Sequence, residues 1–402
     1  MISFKKANDI ISETFNELQL DIEEINLTEA LNRVLAETIL SDIDLPPFDN
    51  SAMDGYAIKF NSNIKKWKII GEISAGNYNN YNIDETSTVH IMTGGKLPKN
   101  CDTVIPIEDV DVMNESVQLK EAATFSREIN IRKKGEDLRK GEIAVEKDTI
   151  LKPQQIAVAA SCGESKPRVY KKLNIGILTT GDELIDINKK PDTDKIRASN
   201  PYSLYAAVKE TNMNPVNFGV IKDDKQILFQ IVRDVLNSKL DILLTSGGVS
   251  VGKYDYLKEI LEELGVTIKF WRVFIKPGKP ILFGIYNIND HQTLIFGLPG
   301  NPVSSLVTYI IFVKRHILQL FGNQELITMP AVLKDNISKQ DKKRHFIRGI
   351  IKKVNQYVNE VTLSGQQSSG NLAQMGKANC LIVIEEEKIN PKIGETVECI
   401  MI

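Results

Sequence analysis

The chain has 402 residues, which at about 150 residues per domain predicts two to four domains. Lys plus Arg number 50 and Asp plus Glu 52, a net charge of −2, which excludes a protein living mainly by unspecific attraction to nucleic acid or anionic membrane. Apolar residues at 42% and charged residues at 25% exclude global disorder.

The first residues, MISFKKANDIISETF, turn charged too early for a secretory leader. No apolar run approaches the roughly 18 residues of a membrane span. The 4 cysteines (Cys101, Cys162, Cys380, Cys399) are scattered without a CxxC pair, so neither a zinc cage nor a disulfide framework is indicated. Cys101, beside a glycine-rich stretch, reads as a buried inert thiol. A cytoplasmic, reducing location is expected.

Apolar spacing predicts a helix over 6–20 and another in TEALNRVLAETI, 28–39. The prolines of DLPPFDN then break the helical text. From 56 to about 150, short alternating or β-branched runs (YAIKF, WKIIGEI, STVHIM, DTVIPI) lie between Gly, Asn and Asp clusters, an all-β pattern. Helical character returns at 152–163, so the β region reads as an insertion in a helical unit. From 171, strands KLNIGILTT, PVNFGVI, LDILLTSGG and VTIKFWRVFI alternate with helices, the signature of βαβ units and a mainly parallel sheet. TLIFGLPG and the long apolar helix NPVSSLVTYIIFVKRHIL close it, and short strands after about 325 form a small β domain.

Ligands bind outside the carboxyl ends of such strands. Three strands end there in polar glycine turns: TTGDE (179–183), TSGGVSVG (245–252, with Gly247, Gly248 and Ser250) and FGLPGNP (296–302). Each opens toward a helix N-terminus, and together they describe a phosphate-type pocket. GGVSVGK has P-loop spacing, but Tyr254 stands where Ser or Thr must meet magnesium, so that match is a decoy; no GxGxxG is present. Glu183, Asp223 and Asp255 fall at or just beyond strand ends, as Mg²⁺ beside phosphate requires. Helix capping is the alternative for each, and for Asp223 the two weigh equally. Asp182 reads as structural. In FWRVFIKPGKP, the residues Arg272, Lys276 and Lys279, stiffened by Pro277 and Pro280, suit an oxyanion. His90, His291, His316 and His345 have no spacing of a metal site or triad and read as structural.

DNSAMDGYA (49–57), IMTGG (91–95), RKKGED (132–137), TTGDEL (179–184), TSGGVSVGKYDY (245–256), IKPGKP (275–280) and GLPGNPVSS (297–305) run in one order across nearly the whole chain. In this the sequence resembles the molybdopterin molybdenumtransferases, the MoeA family, and the E domain of gephyrin. The resemblance implies a multidomain α/β plus β chain, in four domains forming an elongated homodimer. These are a discontinuous helical or linker domain (1–53 and 139–171), an inserted β domain (54–138), a MogA-like doubly wound α/β domain (172–322) and a C-terminal β barrel (323–402).

The resemblance further implies insertion of molybdate into adenylated molybdopterin, with Mg²⁺ and release of AMP. Functional positions carry over to Asp54, Thr93 and Asp137 in the β insertion, which in such a dimer would face the partner's α/β pocket. Others fall at Glu183, Asp223 and Asp255 for the metal, at Arg272, Lys276, Lys279 and Arg348 for molybdate and the terminal phosphate, and at Pro299, Pro302 and Ser369. A MogA-like adenylyltransferase and acceptor molybdoenzymes are the implied partners. The chain departs from the pattern at Ala198, where many relatives have Asp, and at Ser368 and Gly370 within GQQSSG. Two other readings compete: an enzyme that itself adenylates molybdopterin, disfavoured by the additional domains, and a gephyrin-like scaffold, disfavoured by the intact carboxylates.

Overall fold

The computed structural model describes residues 1–77, 79–248, 256–322 and 324–402. Ser250 and Asp255, and most of the P-loop-like segment, lie outside the described residues. The chain divides into two compact units, Glu23–Val169 and Met1–Ile22 with Tyr170–Ile402.

Helix α1 (Phe4–Asn16) starts where Ser3 accepts the Lys6 N–H at 3.1 Å. Its buried Phe4, Ala7, Ile11 and Phe15 follow the 3.6-residue period. This helix belongs to the second unit, not to the helical domain that the sequence predicts over 1–53. The cause is its apolar stripe: Phe4 packs on Phe312 and Phe346, and Phe15 on Phe296.

The unit Glu23–Val169 holds a six-stranded sheet. Its strands are β1 (Gly55–Ile58), β2 (Lys66–Ile73), β3 (Ser87–Ile91), β4 (Thr103–Pro106), β5 (Val110–Met113) and β6 (Ser116–Leu119), in the order β4-β1-β3-β2-β6-β5. Only β2 and β3 run parallel. Helix α2 (Pro153–Ser161) appears as predicted. The predicted helix over 28–39 does not form. Residues 27–29 make one 3₁₀ turn, Asn32 takes φ +61, and the backbone bonds to a distant segment instead. Asn32 N–H donates to Leu151 O, and Leu35 N–H to Thr149 O. Ala30, Leu35 and Ile39 bury themselves against Val145, Leu151 and Val169, so tertiary pairing outweighs the helical spacing.

In the other unit, strands and helices alternate: β7 (Asn174–Thr180), α3 (Asn200–Glu210), β8 (Asn214–Ile221), α4 (Lys225–Leu236), β9 (Ile242–Ser246), α5 (Leu257–Glu263) and β10 (Thr267–Trp271). The short β11 (Ile275–Lys276), then β12 (Leu282–Ile288) and β13 (His291–Leu298) follow. The sheet order is β8-β7-β9-β13-β12-β10. Its first four strands are parallel, and β12 and β10 add an antiparallel edge that the sequence reading lacks. Alternation along β13 sends Ile295 into the cluster with α4 and α5, and Phe296 to α1 on the opposite face.

Contrary to the expectation that no apolar run approaches a membrane span, helix α6 (Pro302–Leu320) has the length and composition of one, but 67% of that run is buried inside the protein, as in a core helix. Tyr309 on it donates to Ala207 O of α3 at 3.0 Å.

The C-terminal strands are β14 (Thr328–Leu333), β15 (Arg344–Lys353), β16 (Asn359–Leu363), β17 (Cys380–Ile384) and β18 (Thr396–Met401), with helix α7 (Leu372–Met375) before β17. Pairings β15-β16-β14-β18-β17 close through β17–β15 into a five-stranded barrel. Strand β11 pairs with β15 in parallel, so the predicted strand 266–275 is split and its end belongs to the barrel.

Candidate functional site

Parallel register sets the site. Thr179 lies opposite Ser246, and Ser246 opposite Leu298, so β7, β9 and β13 end within one residue of one another. Described residues of the three glycine turns that follow line one cavity of about 340 Å³, together with Asn200 and Asp223. Their close approach needs glycine at two points. Gly247 has φ +97, and a Cβ there would sit 2.5 Å from Thr180 O; Gly181 has φ +153, a backbone conformation that L side chains rarely adopt. Helices α3 and α6 both begin at this cavity, directing their N-terminal partial positive charge to it. Asn200 donates to Ser246 Oγ at 2.6 Å and to Gly300 O at 2.8 Å. Its buried amide oxygen has no partner among the described residues.

Gly247, Gly248, Pro299 and Pro302 thus meet as predicted, with Glu183 and Asp223. Burial pushes the Asp223 carboxyl above its usual value, and the charges of Asp182 and Glu183 add to this. Asp224, not Asp223, caps α4: its carboxylate accepts the N–H groups of Gln226 at 3.0 Å and Ile227 at 2.9 Å. Asp182 accepts the Asp223 N–H at 3.2 Å. A second cavity, of about 950 Å³, shares Gly181, Ala198 and Asp223 and brings Lys189, Lys195 and Lys222 alongside. Among the described residues no group of three His, Cys, Asp or Glu forms a metal cluster; Glu183 and Asp223 are the two predicted ligands that are described.

A third cavity, of about 870 Å³, lies between the GLPGNP turn and the barrel, with Lys276, Lys279, Pro299, Arg348 and Ser369 on its wall. Pro299 and Asn301 also line the phosphate-type cavity, so one turn serves both. Arg272 lines none of these cavities; its φ is +71 and its guanidinium stacks over Trp271 at 3.9 Å. Arg348 is 1% exposed. Its guanidinium donates to the carbonyls of Asn371 (2.6 Å), Gln366 (2.8 Å) and Ser368 (3.0 Å). The arginine therefore clamps the 366–371 loop, leaving little of its fork for a ligand. Ser369 O in turn accepts the Val303 N–H at 3.3 Å, bringing the loop to the start of α6. Gln367, unnoticed in the sequence, completes the clamp by bonding the Arg348 N–H at 3.0 Å and the Arg348 O at 3.1 Å. Its signal was the pair of glutamines leading into Ser368 and Ser369.

In the Glu23–Val169 unit, Asp54 Oδ1 accepts both the Thr93 N–H at 2.7 Å and the Thr93 hydroxyl at 2.8 Å. The backbone bond, then the hydroxyl, holds this carboxyl below its ordinary value. Gly55 is needed where β1 meets β4, since a Cβ would lie 2.1 Å from Ile105 O. Asp137 forms an ion pair with Arg132 rather than joining the Asp54–Thr93 pair. All four cysteines are free and buried, and burial pushes the Cys101 thiol to about 12, an unreactive state.

Comparison with known proteins covers nearly all of the chain. Residues 2–163 match the family model of the MoeA N-terminal region (domains I and II), 176–319 a probable molybdopterin binding domain, and 330–402 the MoeA C-terminal region (domain IV). A molybdopterin molybdenumtransferase of Haemophilus influenzae is 36% identical over 381 residues, 93% of this chain and 92% of that protein. Another from Synechocystis is 37% identical over 317 residues, covering 76% and 78%. The crystal structure of a molybdopterin biosynthesis MoeA protein from Pyrococcus horikoshii covers 100% of both chains at a TM-score of 0.83 and 28% identity.

Proposed function

We infer the reaction from the premise that the chain belongs to the MoeA family of molybdopterin molybdenumtransferases and acts in molybdenum cofactor biosynthesis. The reaction proposed is insertion of molybdate into adenylated molybdopterin, with release of AMP. The observation that carries it is the GLPGNP turn, which walls both the phosphate-type cavity and the lysine-bearing one. A phosphorylated substrate and an oxyanion held on its two sides are neighbours.

Backbone groups at Gly247, Gly248 and Gly300, with the starts of α3 and α6, hold the substrate's phosphates; Pro299 and Pro302 stiffen that turn. Lys276 and Lys279 attract molybdate, and Arg348 orders the loop that presents Ser369. Glu183 and Asp223, with Asp255, are the residues that would hold Mg²⁺. The donor set fits, because hard carboxylates stand beside a phosphate cradle and Asp223 is raised by burial and by like charge, which a cation would relieve. Such a metal would supply Lewis acidity at the phosphoryl group. Asp54, kept ionised by Thr93, is a further catalytic carboxylate, and Asp137 supports the same region through Arg132. Ser250 is proposed as a phosphate contact, and Arg272 as a distant contributor to the positive field. A homodimer, a cytoplasmic location, an upstream MogA-like adenylyltransferase and downstream acceptor molybdoenzymes complete the proposal.

The test is AMP release from adenylated molybdopterin with Mg²⁺, with and without molybdate, for the protein and for Glu183→Ala. Release that molybdate stimulates and the variant loses is expected. Release indifferent to both would overturn the assigned pocket, and ATP consumption with molybdopterin would favour adenylation instead.

A further inference from the structure

The lysine-bearing cavity contains a group that the reading above does not use. His345, the second residue of β15, lies opposite Lys276 in the β11–β15 pairing and lines the cavity beside Lys276 and Lys343. It is 4% exposed. Its Nε2 is 2.8 Å from Asp341 Oδ1. Asp341 also accepts the Lys343 N–H at 3.0 Å, and the Lys343 ammonium lies 3.5 Å from its other oxygen. A carboxylate in this setting only accepts, so Nε2 carries the proton and donates it. The other ring nitrogen, Nδ1, makes no hydrogen bond among the described residues. His345 lines a cavity otherwise furnished with cations; in the neutral ring Nδ1 is a bare lone pair, which repels an oxyanion placed beside it. Protonated, the same atom becomes a charged donor.

We propose that His345, oriented by Asp341, is a proton-linked ligand for the oxyanion in this cavity, so that each dianion bound brings one proton onto the ring. The proposal rests on the reading of this cavity as the molybdate site. No bond in molybdate is broken; a proton moves from solvent to Nδ1.

The surroundings favour a ring that is neutral until the anion arrives. Burial lowers its proton affinity, the Asp341 bond and charge raise it, and Lys276 and Lys339 lower it again, for a net fall. Lys339 is itself anchored to the Asp341 and Glu386 carbonyls at 2.8 Å. From β17 the residue opposite is Ile384, which is uncharged, and Glu385 and Glu386 beyond it pair with Arg344. Asp341 is therefore the one carboxylate bonded to the ring among the described residues. Although burial pushes its carboxyl up, the Lys343 N–H, the His345 ring and the Lys343 charge hold it at about 2, so it remains an anion at all working pH values. A dianion beside Nδ1 outweighs the lysines and returns the proton to the ring.

Calorimetric titration of sodium molybdate into the full-length protein at about pH 6 and about pH 8, in two buffers of different ionisation enthalpy, tests this. Molybdate remains a dianion over this range, so proton uptake reports the protein. The expected result is uptake approaching one proton near pH 7 and affinity that weakens by up to about tenfold per pH unit within the window. His345→Gln should abolish the uptake and weaken binding at pH 6 far more than at pH 8. Asp341→Asn keeps the ring but removes its counter-charge, and should move the affinity profile to lower pH. The ring ¹⁵N shifts of His345 should change from neutral to imidazolium on adding molybdate. Wild-type binding without proton uptake, or a His345→Gln profile parallel to wild type, would overturn the proton-linked role while sparing the cavity. No molybdate binding by wild type at any pH would overturn the cavity assignment, and this proposal with it.

Discussion

The amide of Asn200 reaches across the sheet edge to the hydroxyl of Ser246, donating at 2.6 Å, and holds the first residue of α3 against the last residue of β9. A second bond from the same nitrogen, to Gly300 O at 2.8 Å, adds the third turn. One side chain thereby ties the start of α3, the end of β9 and the GLPGNP turn together at the phosphate-type cavity.

Asn200→Ala should remove both bonds within a buried site and destabilise the protein by about 1–3 kcal/mol. AMP release should fall by about 10-fold to 100-fold, because the turns lose their spacing. Urea denaturation and the release assay check the two parts separately. A variant with wild-type rates would show that the turns hold themselves.

Gly247→Ala places a Cβ 2.5 Å from Thr180 O at φ +97. The strain should cost about 1–3 kcal/mol and loosen substrate binding, seen as a raised KM for adenylated molybdopterin. An alanine variant with unchanged stability and KM would refute the close approach.

Arg348→Lys retains a positive charge but cannot bond the three carbonyls that the planar fork reaches. A loss of about 2–4 kcal/mol in denaturant unfolding is expected, since buried acceptors are left unpaired. If Arg348 instead served mainly as an oxyanion ligand, lysine would preserve stability and most of the molybdate affinity.

Asp223 has its carboxyl raised in the folded protein, chiefly by burial. The folded state then binds the proton more tightly than the unfolded state. Stability is therefore undiminished below the unfolded value of about 3.8 and declines as pH rises through the folded value. Asp223→Asn should match wild type in Tm near pH 3 and exceed it near pH 7, while losing Mg²⁺-dependent AMP release. Equal Tm at both pH values would remove the raised carboxyl from the account.

Much of this molecule is written locally. The alternation of β-branched runs with helical spacing from 171 onward specifies the βαβ order, because side-chain periodicity is a property of each segment alone. The glycine turns TTGDE, TSGGVSVG and FGLPGNP are likewise legible, since only certain backbones end a buried strand that way. The stretch 28–39 shows the limit: its apolar spacing suits a helix, yet Leu35 and Asn32 bond to residues more than a hundred positions away. The same limit applies at 266–276, where Arg272 turns the chain and Lys276 leaves one sheet for the barrel.

What the sequence determined by itself was the inventory: the carboxylates, the lysines stiffened by proline, and the strand ends that carry them. Only the tertiary structure decided their assignments. It made Asp224 rather than Asp223 the cap, turned Arg348 inward as a clamp, stacked Arg272 on Trp271, and set His345 beside Lys276 with Asp341 behind it. The reason is physical: a hydrogen-bond donor goes to the nearest unpaired acceptor in space, and separation along the chain carries no record of which acceptor that will be.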